Sequence, residues 1–430
     1  MGPKSHHKHL PGSDNHGMRI PMQVPWQDQV TPENLNLWEI WLRKAEFLDI
    51  TTIWWFVGFT AAAVVFIVLA IFVKPRWWLF LFIPLILISM TAAAGFYFNH
   101  QYKYKTTMGK LFGLTDYDTG DDNQITNPTG DRPRGLVVTT SIPGTVSGVG
   151  DWKALVWLPP QYFTNPEQSF PVIYLLHGVP DGVVPGLPTD VGPDGLYEPI
   201  KTDDAAQVAG AQGHPVILVS VVSSPTNIDS ECVDGVQGKW HTYLTKDVPA
   251  WVSKYPRFKT GAANTAVGGY SMGGYCAQIM ALRNPQVYSL AANLSGSSRA
   301  VPRSGGDEAL FGAENAKKEA INYDSTNIVQ TQPASHSVRL WLQIGAQDDP
   351  NLIASQNDFA TAARQQGMTV VTRQVPGAHD YAVWRVSFAE WIPWSAAQLY
   401  GDAPPNVSAS PTGPTSASPT ASASASASAR

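Results

Sequence analysis

Two unbroken apolar runs dominate the first hundred positions. Residues 53–73 carry no charged side chain, and after Lys74-Pro75-Arg76 a second such run covers residues 77–97. At about 1.5 Å per residue, either run crosses a hydrocarbon core of roughly 30 Å. Pro84 lies within the second run, where a membrane helix tolerates it. Buried helices of a soluble core would be shorter and show a polar face, and neither run does. A cleavable signal peptide is excluded by the roughly fifty residues ahead of the first run and by its length. The pattern therefore predicts a two-helix transmembrane hairpin within residues 51–99, both chain ends on one side of the membrane.

A polar stretch follows, read as a linker over residues 100–135, and the period then changes. Strand-like stretches at 137–141, 153–158, 172–176, 216–222, 265–268, 290–294, 338–344 and 370–374 alternate with helix-like ones, the stretch at 172–176 being wholly apolar. Helix-like segments at 202–211, 242–255 and 274–283 fall between them. Strands that are apolar throughout and alternate with helices predict a mostly parallel sheet covered on both faces, here over residues 136–400.

Composition narrows the function. Only 15% of the 430 residues are charged and the net charge is −5, with no Lys/Arg run able to follow a phosphate backbone; nucleic acid is excluded as a partner. The two cysteines, Cys232 and Cys276, cannot build a zinc cluster. Whether they are bridged is left open. His6, His7 and His9 belong to a polar N-terminal segment (residues 1–50) in which nothing closes a metal site. Residues 34–48 mix Trp and Leu with charges and predict an interfacial helix. Residues 404–430 are almost wholly Ser, Ala, Thr and Pro and cannot form a core; residues 401–430 read as a disordered tail like those of exported stalks. Counting Lys74 and Arg76 in the turn against Arg43, Lys44, Lys103, Lys105 and Lys110 outside it places both ends in the cytoplasm. The tail points the other way, and the catalytic domain is expected on the extracytoplasmic side.

The chemistry centres on Gly269-Tyr270-Ser271-Met272-Gly273, placed between an expected strand and an expected helix. A serine flanked by glycines at this spacing sits on a strained strand-to-helix turn, which presents its hydroxyl at the carboxyl edge of the sheet. The Met272 N–H at the helix N-terminus then faces a developing oxyanion. A triad in the chain order Ser, acid, His needs a later histidine. His336 precedes a strand and falls at the amino edge. His379 follows the strand at 370–374 and lies on the correct edge, so it is the expected base. Asp348 and Asp349 follow Ile344-Gly345, and Asp348 is preferred as the acid that fixes the imidazole, with Asp349 as its alternative. The second oxyanion donor is expected from His177-Gly178-Val179: the Val179 N–H, with Gly178 as the alternative. His177 and His241 read as structural or pocket-lining. Residues 180–199, rich in Gly, Pro and Asp, either border the acyl pocket or form a surface loop.

Four blocks of this sequence resemble the Putative esterase family of α/β-hydrolases, which includes feruloyl esterases, esterase D, enterochelin esterases and the antigen 85 mycolyltransferases. They are Leu158-Pro159-Pro160-Gln161-Tyr162, the run Pro171 to Gly178, Gly269 to Gly274, and Gly377-Ala378-His379-Asp380 with Trp384. The resemblance covers residues 136–399 and implies an α/β-hydrolase fold. It further implies that Ser271, His379 and the aspartate of Gly345-Ala346-Gln347-Asp348 match the catalytic positions. His241 in Trp240-His241-Thr242-Tyr243-Leu244 stands where the mycolyltransferases have glutamate, and their nucleophile motif lacks the second glycine found here as Gly273. A mycolyl substrate is thereby disfavoured and acyl chemistry is retained. The expectation is a membrane-anchored serine esterase acting on a small-molecule or lipid ester without metal or organic cofactor. The alternatives are transfer of the acyl group to a sugar or other alcohol, and an inactive hydrolase-fold binding module.

Overall fold

The computed structural model describes residues 49–74, 76–102, 108, 117–179, 193–197, 200–225 and 228–402. The histidine cluster at 6–9, the interfacial helix expected at 34–48, most of the loop 180–199 and the tail lie outside the described residues.

The apolar runs form two helices, α1 (Ile53–Phe72) and α2 (Leu79–Tyr102), each long and apolar enough to cross a membrane. They pack antiparallel through stacked rings, Trp55 on Phe96 at 5.3 Å and Phe59 on Phe96 at 5.2 Å between centroids. Asn99 and His100 in the last turn of α2 tie back to the entry of α1. Asn99 Nδ2 donates to the Ile50 carbonyl at 3.0 Å, and His100 Nδ1 lies 2.7 Å from the Thr51 carbonyl. The outward faces, including Ile71, Phe80, Leu87 and Ile88, are exposed hydrocarbon.

A nine-stranded sheet organises the rest. In chain order the strands are β1 (Thr119–Gly120), β2 (Leu136–Gly144), β3 (Gly150–Leu158), β4 (Val172–Leu176), β5 (Ile217–Val221), β6 (Thr265–Tyr270), β7 (Leu290–Leu294), β8 (Arg339–Gly345) and β9 (Val370–Val375). Their order across the sheet is β1-β2-β3-β5-β4-β6-β7-β8-β9. β3 runs antiparallel to both β2 and β5, and every other pairing is parallel. The full burial of β4, shared by β5, β6 and β7, shows why these central strands carry no polar alternation. Val172, Tyr174 and Leu176 enter the core on one face while Ile173 and Leu175 enter the core on the other. Helix α4 (Met272–Arg283) and helix α5 (Pro350–Gln365) cover the first face, the latter through Phe359 and Ala363. Helix α3 (Thr202–Ala211) and helix α6 (Tyr381–Leu399) cover the second through Ala205, Ala209, Phe388 and Trp391.

Two expectations need correction. The linker does not run to residue 135: β1 pairs in parallel with β2, and Ile125 is buried with its carbonyl accepting from the Tyr162 hydroxyl at 2.6 Å. A short polar stretch with one apolar anchor docks on the sheet without showing a period. The helix expected at 242–255 is also not continuous. It starts at Trp240, loosens to a π turn at Tyr243–Asp247, and resumes as Val248–Val252 with Pro249 in its first turn. A proline lacks the N–H that would continue the α ladder there.

Candidate active site

β6 and α4 meet at Ser271, whose backbone stands at φ 55° and ψ −127°, a conformation L-residues rarely adopt. Neighbouring backbone over-determines it. The Ser271 N–H donates to the Leu294 carbonyl at 2.8 Å, and the Ser271 carbonyl accepts from the Gly274 N–H at 2.9 Å. The flanking glycines permit that crowding. A Cβ on Gly269 would stand 2.3 Å from the Gly273 carbonyl oxygen, and one on Gly273 would stand 2.4 Å from that of Leu176. Met272 is the first residue of α4, so its N–H has no acceptor within the helix by position.

His379 arrives from the loop after β9, and its Nε2 lies 2.9 Å from Ser271 Oγ across 108 positions of sequence. Asp348 arrives from the loop after β8 with only 5% of its surface exposed, and both its oxygens lie 3.1 Å from His379 Nδ1. A carboxylate offers acceptors alone, so Nδ1 carries the ring proton and Nε2 is left to accept from the serine hydroxyl. Three loops on one edge of the sheet thus form a continuous hydrogen-bonded line from Asp348 to Ser271. Asp349 is not part of it; its side chain caps α5 by accepting from the Asn351 N–H at 2.7 Å. His336 lies outside the cluster, its Nε2 2.7 Å from the Val329 carbonyl.

The two loops are fastened to one another. Gln347 Oε1 accepts from the Gly377 N–H at 2.6 Å while the Gln347 N–H donates to the Gly377 carbonyl at 2.9 Å. Asp380 caps α6 by accepting from the Ala382 and Val383 amides. The Trp384 indole meets the His379 ring edge-on at 5.0 Å and lies against the Tyr270 ring at 4.4 Å. The bridging role of Gln347 was not foreseen from the sequence, although it sits in the same Gly345-Ala346-Gln347-Asp348 block as Asp348. An amide that bridges two loops leaves no periodic trace.

Gly178 and Val179 follow β4 beside Ser271: a Cβ on Gly178 would come within 3.1 Å of Ser271 Cβ. His177 is buried, with both ring nitrogens engaged. His241 is buried too, packed edge-on against Tyr323 at 5.6 Å with Asn284 Nδ2 3.4 Å from its Nε2. Burial, reinforced by the Arg283 charge, pushes its pKa down to about 4, so it is a neutral core residue. Cys232 and Cys276 form a disulfide, closing the question the sequence left open and joining the segment after β5 to α4.

Comparison with known proteins agrees with this architecture. A family model described as "Putative esterase" matches residues 149–394. An uncharacterised protein of Corynebacterium glutamicum is 26% identical over 284 residues, covering 64% of this chain and 65% of its own length. An esterase of Mycobacterium tuberculosis is 23% identical over 256 residues, covering 53% of this chain and 52% of its own. The chain thus matches between half and two thirds of the length of these curated relatives. Among solved structures, a ferulic acid esterase superposes with a TM-score of 0.50 at 21% identity, over 62% of this chain and 98% of that one. A fluorophosphonate-binding serine hydrolase of Staphylococcus aureus gives 0.50 at 19% identity, over 61% and 98%. At such identities the likeness is one of fold. The family match extends over more than half of the sequence and contains Ser271, Asp348 and His379, and on that ground the chain belongs to the Putative esterase family of α/β-hydrolases.

Proposed function

We propose that the chain is a membrane-anchored serine esterase that cleaves carboxylic esters through an acyl-enzyme on Ser271. The observation that carries this is the line Asp348–His379–Ser271, with contacts of 3.1 and 2.9 Å. As Ser271 Oγ attacks the ester carbonyl, its proton passes to His379 Nε2, and the Asp348 carboxylate stabilises the imidazolium that forms. The carbonyl oxygen becomes an oxyanion held by the Met272 and Val179 N–H groups, each such donor worth about 3 kcal/mol in the transition state. His379 returns the proton to the departing alcohol. Water, deprotonated by the same imidazole, then releases the acid.

One feature supports the membrane anchor and a second the extracytoplasmic side. Helices α1 and α2 have the length and apolar surface of a membrane hairpin. The catalytic domain carries a disulfide, which persists in oxidising compartments.

The test is a graded series of p-nitrophenyl esters, offered with and without an added sugar or alcohol, together with a fluorophosphonate probe. Wild type should hydrolyse and label, and Ser271→Ala should lose both. Folded wild type that neither labels nor turns over would sink the enzyme in favour of a binding module. Recovery of the acyl group on the added alcohol rather than on water would replace the esterase by an acyltransferase.

A further inference from the structure

His177 takes no part in the proton relay, yet its ring is fully buried and both nitrogens are committed. The Ser223 backbone N–H points at Nε2 at 3.0 Å. An amide can only donate, so Nε2 is the acceptor and the ring proton resides on Nδ1. Nδ1–H donates to the Gly178 carbonyl at 2.6 Å. The Ser223 hydroxyl donates in turn to the His177 carbonyl at 3.0 Å, so one residue grips the histidine at backbone and ring. Burial pushes the His177 pKa down to about 4, keeping this neutral tautomer at neutral pH.

Ser223 is itself held from the nucleophile's side. The Ser230 hydroxyl donates to the Ser223 carbonyl at 3.0 Å and accepts from the Cys232 N–H at 3.1 Å. Cys232 is bonded to Cys276, within the second turn of the helix that begins at Met272. A chain of bonds therefore runs from α4, which carries one proposed oxyanion donor, round to the peptide that carries the other.

That peptide is planar and trans, with its C=O and N–H pointing in opposite directions. Holding the Gly178 carbonyl toward the His177 ring therefore turns the Val179 N–H away from it. Gly178 lies directly against Ser271. We infer that His177 is a positioning residue: through the Gly178 carbonyl it aims the Val179 N–H at the oxyanion that develops over Ser271, and Ser223 fixes the tautomer that lets it do so. The inference rests on Ser271 being the nucleophile.

Three substitutions in the full-length chain separate positioning from mere packing. His177→Asn places an amide N–H near the Nδ1 position and retains the bond to Gly178. His177→Gln places its amide near Nε2, where it meets Ser223 and forfeits that bond. His177→Ala loses both. Alanine and glutamine should lower kcat about a hundredfold, the scale of losing an oxyanion donor, with KM within about twofold. Both should weaken an alkyl boronic acid, which forms a tetrahedral adduct on the serine, by the same factor. Asparagine should recover at least tenfold in both measures, and the pH profile of all three should keep the wild-type acid limb. Glutamine equal to asparagine at matched folded fraction, judged by thermal melting, would overturn the inference. A loss carried by KM alone would overturn it as well. Ser271→Ala serves as the separate control: residual turnover there refutes the nucleophile, whereas full loss there with an indifferent His177 series refutes only the positioning role.

Discussion

Asp348 turns both oxygens toward His379 Nδ1 at 3.1 Å, whereas the adjacent Asp349 turns back to accept the Asn351 N–H at the start of α5. Asp348 Oδ1 also accepts from the Asp349 N–H at 2.8 Å, so the second aspartate helps hold the first. Asp348→Asn should lower kcat about ten-thousandfold, because an amide can present the wrong partner to Nδ1 and strand the unfavourable tautomer. Asp349→Asn should leave kcat within about tenfold, since asparagine still caps a helix, while Asp349→Ala should cost about 1 kcal/mol of stability. Turnover of a p-nitrophenyl ester and thermal melting of the three variants check this; a greater loss of kcat at Asp349 would reverse the assignment. Sequence narrowed the expected acid to this pair because both follow the carboxyl end of a strand. Adjacent residues share that property, and only the local competition between an imidazole and a helix end separates them. His177 shows the opposite limit. Its place before Gly178 is legible, but a ring that works by holding a carbonyl has no signature apart from its surroundings.

Elements whose two faces are both buried were the most legible. β4 and β7 fall where continuous apolar runs placed them, and the turn after β6 falls where its glycines require close approach. Elements held by one anchor or broken by a proline were not: the piece around Ile125 and the π turn before Val248 are set by tertiary contacts that leave no period. The Cys232–Cys276 bond belongs to this second group, since two cysteines 44 positions apart say nothing of proximity until the segment after β5 is folded against α4. A cross-link over that separation restrains the unfolded chain and should stabilise the domain by about 2–4 kcal/mol. The double variant Cys232→Ser/Cys276→Ser should therefore unfold at lower denaturant concentration than wild type. Glu231 and Cys232, both at positive φ, sit at one end of this bond. The segment most exposed to its loss is thus the one that holds Ser223 and, through it, His177. Kinetics of the same double variant should show kcat falling while KM holds; an unchanged kcat in the fully folded variant would mean that the segment keeps its shape unaided.

At the scale of the whole molecule, the membrane anchor proposed above makes the side on which the site lies decide which esters it can meet. Positive charges flanking the hairpin outnumber the two in its turn and argue for a cytoplasmic domain, but by a narrow margin. Against them stand the Ser/Ala/Thr/Pro composition of the last thirty residues and a buried disulfide in the catalytic domain. A disulfide is a heavier argument than a difference of a few lysines, because a reducing cytosol keeps thiols apart whereas charge bias only tilts insertion. The expected outcome is that a membrane-impermeant fluorophosphonate labels Ser271 in intact cells, and that the labelled chain stays in the membrane pellet after alkaline extraction. Labelling that requires lysis would place the domain inside and leave the disulfide without a compartment to maintain it. Labelled chain released by alkali would remove the hairpin's reason for its exposed hydrocarbon. If both expectations hold, the substrate must be an ester reachable from the outer face. The site would then stay within tether length of the membrane, so lipid esters and envelope-bound acyl groups would meet it at far higher effective concentration than any freely diffusing ester.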